Sequence, residues 1–309
     1  MKILFLYTEL AGYFLSCIET LAKNTDVEIH IVKWPVNREA PFEFNFPENV
    51  KVYEKCNLSV SNLKNLARKI SPDLIYCSGW MDKDYLKICK EHKTNIPIVV
   101  GFDSQWKGTL KQRLASALSS IFVKNHFTHC WVPGQKQAAF AKRLGFKDST
   151  ILTGFYAADY DFFNTLFLDN YESKKHNFPK RFIYAGRYHN FKGVQDLWKA
   201  FSQLQEESPN DWELWCLGTG DIDPVCHPKI KHFGFVQPNE MKKIISETGI
   251  FVLPSRFEPW GVVLHEFAAA GFPLICSDEV GAAETFLHEN QNGFIFKAKD
   301  VEGLKLVMK

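Results

Sequence analysis

Glu258 and Glu266 stand eight positions apart in Glu258-Pro-Trp-Gly-Val-Val-Leu-His-Glu266, and no other stretch of the chain points so directly to chemistry. Leu253-Pro254-Ser255 reads as the end of a strand before them, and the Gly271 and Pro273 that follow would close an apolar helix. If most of the span is helical, the two carboxylates lie about 12 Å apart along the axis. They could then accept hydrogen bonds from hydroxyls at the two ends of one extended ligand. The N–H groups of Gly261 to Val263, at the positive end of the helix dipole, suit an anionic group between those ends. Sugar at each end with phosphate in the middle describes a nucleotide sugar.

A second cluster carries the opposite charge. In Ala185-Gly186-Arg187-Tyr188-His189-Asn190-Phe191-Lys192-Gly193, two cations leave a strand and precede a helix, with glycines that let the backbone approach a ligand closely. Arg187 and Lys192 could hold a diphosphate and stabilise it as a leaving group; otherwise they are the solvated charges of a loop. Cys216-Leu217-Gly218-Thr219-Gly220 reads as a further turn after a strand, close to the same ligand.

Such turns need a scaffold that ends several strands side by side. The sequence predicts strands over 2–7, 27–32, 73–77, 96–100, 128–132 and 149–153, with amphipathic helices over 13–23, 61–70, 85–92, 109–124 and 135–144 between them. Residues 155–179, rich in aromatic, Asn and Lys residues, break the rhythm and read as a connection. Alternation then resumes with strands at 181–185, 213–217, 250–253 and 274–276 and helices at 194–205, 239–246 and 262–270. The expected fold class is α/β, two tandem doubly wound, Rossmann-like domains covering 1–160 and 161–309. In such sheets ligands bind beyond the carboxyl ends of the strands, where the motifs lie.

Together these segments resemble glycosyltransferase family 4, whose members have the GT-B fold, two such domains facing a cleft, and transfer sugars with retention. The resemblance rests on Gly186-Arg187 with Lys192-Gly193, Gly218-Thr219-Gly220, Phe233-Gly234-Phe235-Val236, Leu253-Pro254-Ser255, Glu258 with Glu266, Ala270-Gly271-Phe272-Pro273, and Gly281-Ala282-Ala283-Glu284 with Asn292-Gly293. It implies that Glu258 binds hydroxyls of the transferred sugar and Glu266 those of the ribose, while Arg187 and Lys192 hold the diphosphate. It also implies that main-chain groups of Trp260, Gly261, Val262 and Val263 face sugar and phosphate, that Phe235 and Val236 sit near the base with Gly218 close by, and that Gly12 approaches the diphosphate. The first loop has one glycine, in Ala11-Gly12, where members often have two. Val100-Gly101-Phe102-Asp103 stands where members often have a histidine. Asp103 could accept a hydrogen bond from donor or acceptor in its place, or cap a helix. Members usually run on to a last helix crossing back to the first domain, and that helix is not expected here.

The resulting expectation is a retaining, hexosyltransferase-type enzyme acting on a hydroxyl acceptor, a sugar or lipid-linked sugar, in cell-envelope or surface polysaccharide synthesis. Two alternatives stand beside it: a sugar-nucleotide epimerase or hydrolase on the same fold, and a non-catalytic sugar-nucleotide-binding partner. No metal or other cofactor is expected, because Arg187 and Lys192 can neutralise phosphate. The triplets Asp82-Lys83-Asp84, Asp159-Tyr160-Asp161 and Asp221-Ile222-Asp223 are too cheap a pattern to mark a metal site. Eight cysteines without a C-x-x-C pair read as reduced thiols, and no run approaches a membrane span, so a cytoplasmic protein is expected. No nucleic-acid partner is implied.

Charge is uneven. Residues 1–160 carry 21 Lys and Arg against 15 Asp and Glu, and residues 161–309 carry 16 against 20. The basic first half suggests an anionic acceptor or an anionic membrane surface, unless it is a chance excess of solvated charge. Between Lys107 and Lys124, Leu110, Leu114, Leu118 and Ile121 recur at helical spacing among Lys107, Lys111 and Arg113. Either this stripe packs on the first domain's sheet, or it docks on anionic lipid, making the protein peripheral at the inner face of the membrane.

Overall fold

The computed structural model describes the backbone of all 309 residues, and the side chains of all but Lys111, Ala115, Ser120 and Asn239. The chain divides into two compact units, one of residues 1–37 and 44–157 and one of residues 38–43 and 158–309. The first contains β1 (Lys2–Tyr7), α1 (Gly12–Ala22), β2 (Glu28–Lys33), β3 (Val50–Glu54), α2 (Val60–Ile70), β4 (Leu74–Ser78), α3 (Lys83–His92), β5 (Ile98–Gly101), α4 (Leu110–His126), β6 (His129–Val132), α5 (Gln135–Arg143) and β7 (Ile151–Thr153). All seven strands are parallel, in the order β3-β2-β1-β4-β5-β6-β7.

A parallel sheet is covered on both faces, so its strands are apolar on both sides. β1 shows this directly. Ile3, Phe5 and Tyr7 enter one core with Phe14, Ile18 and Ile31, while Leu4 and Leu6 enter the other with Leu63, Ile75 and Ile88. Capping side chains start the covering helices: Ser59 Oγ accepts from the Asn62 N–H before α2, and Asp82 accepts from the N–H groups of Asp84 and Tyr85 before α3.

The second unit contains α6 (Tyr160–His176), β8 (Arg181–Ala185), α7 (Val194–Glu207), β9 (Glu213–Leu217), β10 (Ile230–His232), α8 (Met241–Glu247), β11 (Ile250–Leu253), α9 (Val262–Ala269), β12 (Leu274–Ser277), α10 (Ala283–Phe286), β13 (Gly293–Phe296) and α11 (Val301–Met308). Its six parallel strands run β10-β9-β8-β11-β12-β13. α7 packs through Val194, Leu197, Trp198, Phe201 and Leu204, the spacing of one helical face. Burying each such side chain contributes about 1.5–3 kcal/mol. Both sheets are doubly wound, giving two Rossmann-like domains.

Three expectations need correction. The stretch 155–179 is no plain connection: it holds the 17-residue helix α6, capped by Asp159, whose carboxylate accepts from the Phe162 N–H at 3.1 Å. Helix α9 begins only at Val262, so four residues of the Glu258–Glu266 interval precede it. The helical rise from Val262 to Glu266 is about 6 Å, so helix geometry does not set the expected 12 Å separation. The leucines of α4 do not pack on the sheet: Leu110, Leu114, Leu118 and Ile121 are 78%, 70%, 72% and 65% exposed. The side chain of Lys111, counted among the basic residues of that stretch, lies outside the described residues. No helix among the described residues is long and apolar enough to cross a membrane.

Candidate functional site

In the second unit the strand order reverses between β8 and β11, so the turns leaving these two strands diverge and open a crevice at their carboxyl ends. The turn after β8 carries Arg187 and Lys192; the turn after β11 carries Glu258 and leads into α9. Their close approach depends on Gly193. Its φ is +68°, and a Cβ there would lie 2.1 Å from the Pro254 carbonyl oxygen, so any side chain would force the turns apart. Main-chain bonds join them, since the Arg256 and Phe257 N–H groups both donate to the Phe191 carbonyl, at 2.8 and 3.1 Å. The Arg256 guanidinium adds a bidentate pair to Asp196 at 2.7 Å each and a bond to Asn190.

Glu258 lies at the centre of this framework and is buried. Lys192 Nζ approaches Glu258 Oε2 at 2.5 Å, and Ser255 Oγ donates to the same oxygen at 3.2 Å. The Glu258 carbonyl accepts from the Gly281 N–H at 3.0 Å. A buried carboxylate is tolerated only when paired and hydrogen-bonded, and Lys192 supplies the pairing. Lys192 therefore holds Glu258 in this structure, a partnership that the expected diphosphate role did not include. An ammonium has three donors, so the pairing leaves room for a phosphate oxygen. Arg187 is positioned from below: the buried Tyr184 donates its phenol hydrogen to the Arg187 carbonyl at 2.9 Å.

Trp260 is buried, and its carbonyl accepts from the Ala282 N–H at 2.8 Å, which ties the start of α9 to the loop after β12. Gly261 caps α9 in the left-handed region, with φ +90°. The N–H groups of Val262 and Val263 belong to the first helical turn and have no acceptor within the helix. Glu266 follows one turn later, half-buried. Burial, then the charge of Asp159, pushes its carboxyl up to about 7. Beside it His265 does structural work: Nδ1 accepts from the Ala158 N–H at 3.1 Å and the ring stacks on Phe286 at 4.0 Å. Burial lowers its pKa, which favours the neutral ring that this acceptor role requires.

Gly218 donates its N–H to the Gly234 carbonyl at 2.7 Å, drawing the turns after β9 and β10 together. Phe235 and Val236 lie beyond β10 at the same end of the sheet. A segment that the sequence reading passed over packs there. Phe42 meets Phe235 edge to face at 5.0 Å, Gln237 Nε2 donates to the Pro41 carbonyl at 3.0 Å, and Thr219 Oγ1 donates to the Glu39 carbonyl at 3.0 Å. His189 lies between Glu39 Oε2 and Asp221 Oδ1, at 2.7 Å from each. Burial opposes its charge, but the two carboxylates outweigh burial and raise its pKa. Residues 38–43 have neither helical nor strand periodicity, so no pattern in the sequence signals this packing.

The structure thus gathers Arg187, Lys192, Gly218, Phe235, Val236, Glu258, 260–263 and Glu266 at one end of the second sheet. Gly12 and Asp103 belong to the first unit, at the start of α1 and after β5. The cap of α4 is Thr109, whose hydroxyl accepts from the Gln112 N–H at 3.2 Å, so Asp103 does not cap that helix. Its charge, with that of Glu9, helps raise the pKa of Tyr13 and Tyr156, chiefly displaced by burial; their rings meet edge to face at 5.4 Å. Of the aspartate triplets, Asp82 and Asp159 cap helices and Asp221 holds His189. Among the described residues no group of three or more His, Cys, Asp or Glu is disposed to hold a metal ion.

Residues 179–307 match the family model for glycosyl transferases group 1. The chain is 30% identical over 119 residues to an uncharacterised glycosyltransferase of Methanocaldococcus jannaschii, covering 36% of this chain and 30% of that protein. It is 31% identical over 135 residues to a glycogen synthase of Mycobacterium tuberculosis, covering 41% and 32%. The matched stretches thus span about a third of these relatives. Among solved structures, the Anabaena HepE complex with UDP superposes with a TM-score of 0.71 at 17% identity, over 100% of this chain and 89% of that one. The sucrose-phosphate synthase of Thermosynechococcus elongatus gives 0.73 at 16% identity, over 100% and 89%.

Proposed function

We propose that the protein is a retaining glycosyltransferase of family 4, moving a hexosyl group from a nucleotide-diphosphate sugar to a hydroxyl acceptor. The observation that carries this reading is the pairing of Lys192 with the buried Glu258 at the sheet's switch point, directly before the N-terminus of α9 and its half-buried Glu266. One carboxylate would receive sugar hydroxyls and the other the ribose diol. The helix N-terminus, Arg187 and Lys192 would lie against the diphosphate between them. The similarity to the UDP complex of HepE is consistent with this class of donor.

In the reaction the bond from the anomeric carbon to the phosphate oxygen breaks, and the acceptor oxygen bonds to that carbon on the same face. The acceptor proton passes to the departing phosphate, and the nucleoside diphosphate leaves. Arg187 and Lys192 offset the charge that grows on it, and no metal is required. Positioning by Glu258 supplies most of the remainder. The acceptor would be a sugar or lipid-linked sugar of the cell envelope or a surface polysaccharide, with Asp103 on the acceptor side. Eight unpaired cysteines favour a cytoplasmic setting.

Incubating the protein with UDP-, GDP- and ADP-sugars and a panel of glycan acceptors, then reading the product by mass and anomeric coupling constant, tests the proposal. A new glycoside with the donor's anomeric configuration is the expected product. Free sugar or an epimer as the sole product would replace transfer with hydrolysis or epimerisation. Tight donor binding without turnover would indicate a binding protein.

A further inference from the structure

Helix α4 is inside out. At about 100° per residue, Leu110, Leu114, Leu118 and Ile121 fall within an arc of about 80°, and all four face solvent, the least exposed at 65%. The opposite face meets the protein body through polar groups and two apolar side chains. Gln112 Nε2 donates to the Gln105 carbonyl at 2.7 Å, Ser119 Oγ reaches the Leu144 carbonyl at 3.5 Å, and among the described residues Val123 is buried there with the partly buried Phe122 beside it. A helix whose only solvent was water would be turned the other way round.

The charge around the stripe says what covers it. From Ser104 to Lys147 the sequence carries eight Lys or Arg and no Asp or Glu. Arg113 and Lys124 border the stripe on one side within about 60° of its edge, Lys107 precedes its first turn, and all three are exposed. An apolar strip edged by cations alone complements a surface with an acyl interior and anionic headgroups. A second copy is the poorer partner, because stripe against stripe would bring two cationic borders together. We infer that α4 lies in the plane of an anionic lipid bilayer, its leucines in the acyl boundary and Lys107, Arg113 and Lys124 on lipid phosphates. This stands on the surface of the first unit alone and does not depend on the transfer reaction.

Vesicle sedimentation tests it. Wild type should pellet with vesicles of phosphatidylglycerol and phosphatidylcholine, and remain in the supernatant with phosphatidylcholine alone. Raising sodium chloride from 50 to 500 mM should weaken binding at least about tenfold, since exposed charges are screened. Arg113→Gln with Lys124→Gln, which removes no apolar contact, should weaken binding about tenfold; Leu114→Ser with Leu118→Ser should do the same with circular dichroism unchanged. Wild type left in the supernatant with anionic vesicles at low salt would overturn the inference. So would binding indifferent to both pairs of substitutions, or a concentration-dependent dimer abolished by the leucine substitutions.

Discussion

Nucleotide-sugar affinity should depend on pH through Glu266. Its carboxyl is pushed up to about 7, first by burial and then by the Asp159 charge. Two ribose hydroxyls donating to this group bind best when both its oxygens can accept, which requires the ionised form. Binding therefore releases a proton wherever free Glu266 is protonated, and affinity rises with pH up to about 7 and then levels off. With that midpoint, the ionised fraction is about 9% at pH 6 and about 91% at pH 8, so the dissociation constant should be about tenfold weaker at pH 6. A nucleotide sugar is the right ligand, because its diphosphate diester does not titrate in this window. Calorimetry at pH 6, 7 and 8 in two buffers of different ionisation enthalpy reads both affinity and released protons. Glu266→Gln should be weaker at pH 8 and nearly flat across the range. That control separates Glu266 from His189, whose pKa is raised by the carboxylates of Asp221 and Glu39 against the effect of burial. The unliganded protein should move in the opposite sense. An acid whose folded pKa is raised contributes stability that is full below its unfolded value, near 4.5, and lost as pH rises through about 7. The displacement corresponds to at most about 3.4 kcal/mol, and partial solvent access reduces it to about 1–2 kcal/mol. Wild-type affinity independent of pH, or an unchanged slope in Glu266→Gln, would refute the ribose assignment.

Other residues of the crevice should fail in distinguishable ways. Glu258→Gln should reduce turnover about 10²-fold or more while leaving nucleotide affinity almost unchanged, because its carboxylate is assigned to the sugar; an intact rate in the folded variant would remove that role. Arg187→Ala should cost about 1.5–3 kcal/mol in nucleotide-diphosphate binding, and on the order of 10²–10³ in rate if the cation acts chiefly on the leaving group. Unaltered kinetics would rule out the diphosphate contact. Incubation with EDTA should leave transfer almost intact, whereas activity abolished by the chelator and restored by manganese would require a metal.

The extent to which sequence disclosed structure varied with what each pattern reports. β1, β8, β9 and β11 have the bounds expected of them, because strands buried on both faces are continuous apolar runs between breakers. β3, β10 and β13 lie at sheet edges, where Lys51, Lys231 and Phe294 are exposed, so none is a run buried on both faces. α6 buries Phe163 and Leu166 alone among its 17 residues, so its periodicity is weak. The charged groups of the second unit were legible because Gly193, Gly218 and Gly261 mark where turns approach one another. The Lys192–Glu258 bond was not, since 66 residues separate its partners and no local pattern pairs them.

α4 shows the deeper limit. Its leucine stripe was visible as a stripe, but periodicity establishes that a helix has two faces and is silent about which one meets the body. Only tertiary contacts decide that, and here the body accepts the face of Gln112, Ser119 and Val123. The same holds for residues 38–43, which have no period at all. Phe42 and Glu39 find their places because the turns after β8, β9 and β10 present Phe235, His189 and Thr219 to them. In both cases the decisive quantity is complementarity to another surface, which a one-dimensional pattern does not encode.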